Sequence, residues 1–197
     1  MTHPEFSMDS QWLPFTPNRQ FRKEPRVFTG ADGMVFTTHD NRKVIDGISS
    51  LWCVGAGHNR KPINEAIKKQ LDTLDYATAF QFSNDQAFRA AGKIAALAPG
   101  DLNKVLFCNS GSEAADTSMK VALAYHRARG EGHRNVFIGR EKGYHGVGFG
   151  GMSVGGIPAN RKVYGTSLLP RVDHMRFIHD PANAYIHNRE PEFVKNT

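Results

Sequence analysis

Residues 104–140 constrain the fold most, because two β-rich runs there flank a helical pattern. The apolar run 105–108 (VLFC) meets a polar cluster, Asn109, Ser110, Gly111, Ser112 and Glu113, and an alanine-rich stretch begins at Ala114. Residues 104–108 read as a buried strand, 113–129 as a helix and "NVFIGR", 135–140, as the next strand. A strand, a helix and a strand in that order imply a parallel sheet, so the fold class is α/β. The polar cluster then joins the C-terminal end of a strand to the N-terminus of a helix, where α/β sheets hold their ligands.

The chemistry of that junction suits an anion. The first N–H groups of a helix lack intrahelical acceptors, and the macrodipole presents partial positive charge there. Gly111 lets backbone approach a ligand with no Cβ in the way, and Ser110 and Ser112 add movable hydroxyl donors. Together these residues form a candidate cup for a phosphate dianion. A plainer reading stays open beside it. Ser110 and Glu113 have capping-box spacing and would then only start the helix, and Glu113 opposes an anion unless its carboxylate turns toward backbone donors.

Upstream, "RVFTGADGMVFTTHDNRKVID" (26–46) reads as three short strands with turns at Asp32-Gly33 and Asp40-Asn41. A glycine-containing loop leads to a helix started by Pro62, with Ile63, Ala66, Ile67, Leu71 and Leu74 on one face. A second helix fits 84–98, with Ser83 and Gln86 at capping-box spacing and Pro99-Gly100 as its stop. Downstream, "KGYHGVGFGGMSVGG" (142–156) has glycine at seven of fifteen positions and is expected to be a loop. Its Tyr144 and His145 offer flat rings to a planar heteroaromatic ligand. Gly146, Gly148 and Gly151 also satisfy G-x-G-x-x-G, with Asp173 further on, as in nicotinamide-dependent oxidoreductases. Residues 142–145 do not read as a strand and no helical period follows the third glycine, so that reading is disfavoured. From about Arg171 the pattern is poor.

Composition narrows the partners. The net charge is +6, but 25 basic residues are scattered among 19 acids without a stripe of basic and aromatic groups, so no nucleic acid is expected. No apolar run approaches the roughly 20 residues of a membrane helix. The start, "MTHPEFSMDS", has no targeting pattern, which leaves no membrane role and a cytoplasmic location as the expectation. Cys53 and Cys108 lack CxxC spacing and read as buried free thiols, and no metal site is expected.

Five segments in order, "WLPFTPNRQF", "IDGISSLWCVGAGH", "TLDYATAFQ", "LNKVLFCNSGSEAADTSMKVALAYHRARG" and "GYHGVGFGGMSVGG", resemble the class III aminotransferases. The nearest branch is the omega-amino acid:pyruvate (β-alanine:pyruvate) transaminases, and the resemblance covers about Trp12 to Asp173. It implies a fold type I pyridoxal-phosphate-dependent transferase, with residues 1–60 as part of the small domain and 61–197 opening the large mixed or parallel-sheet domain. By that resemblance Gly111 and Ser112, with Ser110 beside them, hold the phosphate of pyridoxal 5′-phosphate. Tyr144 stacks on the pyridine ring and His145 supports it. Trp52 borders the substrate pocket, Phe15 helps to cover it, and Phe80 to Phe82 approach from the second subunit of a homodimer. Core packing is the alternative for each aromatic.

The resemblance also implies a Schiff-base lysine, an acid opposite the pyridine nitrogen, an arginine for the substrate carboxylate and a partner-subunit hydroxyl, all further along than Thr197. Lys120, Lys142 and Lys195 do not match the family's lysine. The expectation is therefore a truncated, N-terminal part of an aminotransferase that uses an amine and pyruvate and is inactive alone. A non-catalytic remnant or interaction module is the competing expectation.

Overall fold

The computed structural model describes residues 7–177. These fall into two units, one ending at Phe88 and one starting at Arg89.

The first unit carries the expected meander. After helix α1 (Asn18–Lys23) come β1 (Phe28–Asp32), β2 (Val35–Thr38) and β3 (Lys43–Ile45), antiparallel and in that order. Gly33 (φ 56°) and Asn41 (φ 62°) supply the left-handed residues of the two turns, as their residue types predict. The second turn is fixed by Thr38, whose Oγ1 donates to Asp40 (2.5 Å) and accepts from the Arg42 N–H (2.9 Å). Phe28 stacks on Phe36 across β1 and β2, with ring centroids 4.1 Å apart.

A short helical segment, α2 (Ser49–Trp52), follows β3, and all four of its residues have positive φ, from 48° to 72°. This is a left-handed turn built without glycine. Such backbone costs roughly 1–2 kcal/mol per residue, so neighbouring groups must hold it. Helix α3 (Lys61–Thr73) starts with Pro62 in its first turn, as expected. Helix α4 (Asp85–Leu97) matches the second expected helix, but the Ser83–Gln86 box does not form. Asn84 Oδ1 instead accepts the Ala87 N–H at 2.9 Å, because the helix begins one residue later than that box requires.

In the second unit, helix α5 (Gly111–Ala128) begins two residues before the expected 113. Strand β4 (Phe137–Arg140) lies in the expected place and belongs to a parallel pair, but its partner is β5 (Val172–Met175), in register from Phe137↔Val172 to Arg140↔Met175. The strand expected at 104–108 is absent: the chain there joins no ladder among the described residues. Apolar character is not enough without a paired neighbour. The observed crossover instead runs through α6 (Phe149–Val154) and α7 (Pro158–Lys162).

Helix α6 corrects a second expectation, since six of the fifteen residues of the glycine-rich segment are helical rather than loop. Glycine costs about 1 kcal/mol in a helix, and here close packing offsets it. Gly150 and Gly151 are buried, and Ser153 Oγ donates to the Phe149 carbonyl (2.6 Å) while accepting from the Leu169 N–H (2.8 Å). Among the described residues no apolar side chain is buried: the expected face of α3 (Ile63, Ile67, Leu71) is open, as are Phe88 and Ile94 of α4, and against expectation Cys53 is exposed and Cys108 only half-buried.

Candidate functional site

The start of α5 reconciles the two readings of its sequence. Ser110 is the N-cap: its Oγ accepts the Glu113 N–H at 3.1 Å, and the Glu113 carboxylate turns back to accept the Asn109 N–H at 2.9 Å. The cap therefore forms, and it draws the acidic group onto backbone donors. Among the described residues, none accepts from the N–H of Gly111 or Ser112. A Cβ built on Gly111 meets nothing within 4 Å, so both donors stand open at the positive end of an 18-residue helix. Ser112 Oγ accepts the Val147 N–H at 3.0 Å, which leaves its own proton for an outside acceptor. These groups fit a phosphate dianion.

The glycine-rich segment lies directly on this helix. Gly146 has φ 105°, and a Cβ there would fall 2.6 Å from Ser112 Cα and Oγ. At Gly148 and Gly150 a Cβ would fall 2.6 and 2.7 Å from the Asp116 carboxylate, and the Gly151 N–H donates to Asp116 Oδ1 at 2.7 Å. Only glycine allows such an approach. Tyr144, 53% exposed, and the exposed His145 enter this segment just before its contact with Ser112. Lys142 Nζ lies 3.8 Å from the centroid of Phe177. Asp116 escaped the sequence reading. Its only signal is its place one helical turn after Ser112, on the same face.

Within the first unit, Trp52 sits on the left-handed turn with 84% of its surface exposed. Asp46 holds that turn. Its Oδ1 accepts from the N–H of Ile48 (3.2 Å) and Ser50 (3.0 Å), and its Oδ2 from the Ser50 hydroxyl (3.0 Å) and His58 Nε2 (2.8 Å). An ionised carboxylate only accepts, so Nε2 carries the His58 proton. The Ser50 N–H bond chiefly lowers the Asp46 pKa to about 2, opposed by desolvation and aided by His58, the Ser50 hydroxyl and the Ile48 N–H. Phe15 (φ 50°), Phe80 and Phe82 are also exposed, and no ring contact joins them to one another or to Trp52. A cavity of about 600 Å³ beside α1 is lined by Phe21, Arg26, Asp40 and Arg42 and contains none of these residues. Its Arg42 is paired with Asp40 at 2.8 Å.

A helix start with free donors, overlaid by a glycine segment bearing an aromatic pair, has donors free for an anion. Residues 17–196 match the aminotransferase class-III family, and the chain belongs to that family. An omega-aminotransferase of Caulobacter vibrioides is 52% identical over 179 residues, covering 89% of this chain and 40% of that protein. A beta-alanine–pyruvate aminotransferase of Pseudomonas aeruginosa is 48% identical, covering 92% and 40%. The amine transaminase of an uncultivated Pseudomonas species in its PLP-bound form superposes with TM-score 0.80 at 31% identity, over 89% of this chain and 40% of that one. The fold is thus that of the fold type I transaminases, and this chain spans about 40% of the length of those relatives.

Proposed function

We propose that the protein to which this chain belongs transfers an amino group from an omega-amino acid or amine of the β-alanine type to pyruvate, with pyridoxal 5′-phosphate as cofactor. The observation that carries this reading is the pair of open N–H donors at Gly111 and Ser112, in a chain about half identical to two transaminases of that kind. Bound there, the cofactor supplies an electron sink for carbon–nitrogen chemistry.

The chain's own residues bind and orient. Gly111 and Ser112 donate to the phosphate, Ser110 keeps the helix start in shape, and Tyr144 lies against the ring with His145 in support. Trp52 and Phe15 border the amine's pocket, while Phe80 and Phe82 serve the neighbouring site of a homodimer. In the complete protein, residues 1–60 belong to the small domain and 61–197 open the large one. That division follows the resemblance and differs from the break at Phe88. No lysine of residues 1–197 performs the proton transfer, so this stretch alone does not turn over. We place the protein in the cytoplasm; no described helix is long and apolar enough to cross a membrane.

The test combines β-alanine, pyruvate and pyridoxal phosphate with either the complete protein or residues 1–197. Alanine is expected from the first only. No alanine from the complete protein refutes the reaction, and alanine from residues 1–197, with one of their lysines labelled on borohydride treatment, refutes the division of labour. A binding-only protein would give a cofactor absorbance band and no product in either case.

A further inference from the structure

The four-residue left-handed turn that carries Trp52 is unlike any other stretch of the described chain. Elsewhere a non-glycine residue with positive φ stands singly, whereas Ser49, Ser50, Leu51 and Trp52 follow one another. Within the turn the Trp52 N–H returns to the Ile48 carbonyl at 3.0 Å, and the Val54 N–H to the Ser49 carbonyl at 3.1 Å. The chief outside hold is Asp46, whose side chain is only 4% exposed and whose four acceptor positions are all filled.

Asp46 is itself fastened to the meander. Its N–H donates to the Met34 carbonyl (2.8 Å), next to the β1–β2 turn. His58, the donor to that carboxylate, exchanges backbone bonds with Gly33 in the same turn: His58 N–H to Gly33 carbonyl at 2.7 Å, and Gly33 N–H to His58 carbonyl at 3.2 Å. The His58 ring also packs on Phe36, with centroids 4.4 Å apart. A rigid path therefore runs from the sheet, through the Asp46–His58 pair, to the turn and its exposed tryptophan.

We propose that Asp46, oriented by His58, is a positioning residue for Trp52 and thereby sets which amines the pocket accepts. This rests on the reading that Trp52 borders the substrate pocket. Asp46 touches no substrate; it acts through the backbone of Ser50 and the turn. Asn at this position keeps an oxygen for the two N–H groups but directs an NH₂ at the Ser50 hydroxyl and His58, where donors already point. The turn then loses half of its hold while the fold of the meander keeps its own hydrogen bonds.

The experiment uses the complete protein and measures kcat/KM for β-alanine and for a bulky aryl-alkyl amine, with pyridoxal-phosphate titration alongside. Asp46→Asn and Trp52→Ala are expected to move the ratio of the two values in the same direction, by about tenfold. In a Trp52→Ala background Asp46→Asn should add nothing, and cofactor affinity should stay unchanged throughout. His58→Gln, whose amide reproduces the Nε2 donor, should keep the native ratio, whereas His58→Phe should lose it. An unchanged ratio in Asp46→Asn, with a changed one in Trp52→Ala, overturns the proposal and leaves the pocket reading intact. An unchanged ratio in Trp52→Ala overturns the pocket reading. Positioning is then judged on its own from 5-fluorotryptophan-labelled protein: the ¹⁹F resonance that disappears in Trp52→Phe must shift or split in Asp46→Asn, and an unmoved resonance refutes the hold.

Discussion

A methyl group on Gly111 meets no atom within 4 Å, so Gly111→Ala removes freedom from the unfolded chain at no steric cost. We expect the ligand-free protein to gain about 0.4–1 kcal/mol in thermal unfolding while losing affinity for pyridoxal phosphate, because the methyl enters the space before the open N–H groups. Gly111→Val should lose more affinity. Equal affinity in both variants would remove the cup from the site. Gly146→Ala has the opposite character: a Cβ 2.6 Å from Ser112 at φ 105° should destabilise by about 1–3 kcal/mol, read from the same melts. Asp46 adds a pH dependence. Its carboxyl titrates at about 2 in the folded chain, below its ordinary value of 3.8, so its contribution is complete above the ordinary value and disappears as pH falls through 2. Asp46→Asn should therefore be less stable at neutral pH, with the gap closing between these two values; a gap constant down to pH 2 would contradict that sign. Gly111 and Ser112 were legible in the sequence because the donors they offer come from adjacent residues of one helix start. Asp116 and Asp46 were not, since the groups they hold, Gly151 and His58, lie 35 and 12 residues away.

At the scale of elements, the capping of α4 separates two serine- and asparagine-based alternatives that look alike in sequence. Asn84→Ala should cost about 0.5–2 kcal/mol of stability, whereas Ser83→Ala should be close to neutral, measured by urea unfolding of the complete protein. The reverse result would restore the box that the sequence pattern predicts. The meander and the long helices were readable because turn residues and apolar periods are local. The parallel pair was half readable: β4 showed itself through Val136, Phe137 and Ile138, but β5 alternates Val172 and His174 with Asp173 and Met175 and carries no plain strand pattern. Pairing depends on a partner far along the chain, and for the same reason the apolar run 105–108 was mistaken for a strand of the described ladder. Helix α6 was hidden by its glycines, whose low helix propensity is overridden by the close approach of Gly150 to Asp116 and of Gly151 to the His145 carbonyl.

At the scale of the whole molecule, the described residues expose apolar faces that water-soluble proteins ordinarily cover. Residues 1–197 produced alone should bind a hydrophobic dye and sediment as aggregates, and the complete protein should sediment as a homodimer that binds little dye. A monodisperse, dye-free solution of residues 1–197 would show that these faces find partners within the stretch itself. The parallel register of β4 and β5 has a further consequence, in time. Arg140 and its partner Met175 are 35 residues apart, so at about 5–20 residues per second a ribosome needs about 2–7 s to deliver the second strand after the first. For those seconds the earlier strand waits without the neighbour it will have, and a chaperone that shields bare strands during synthesis has a defined interval in which to act.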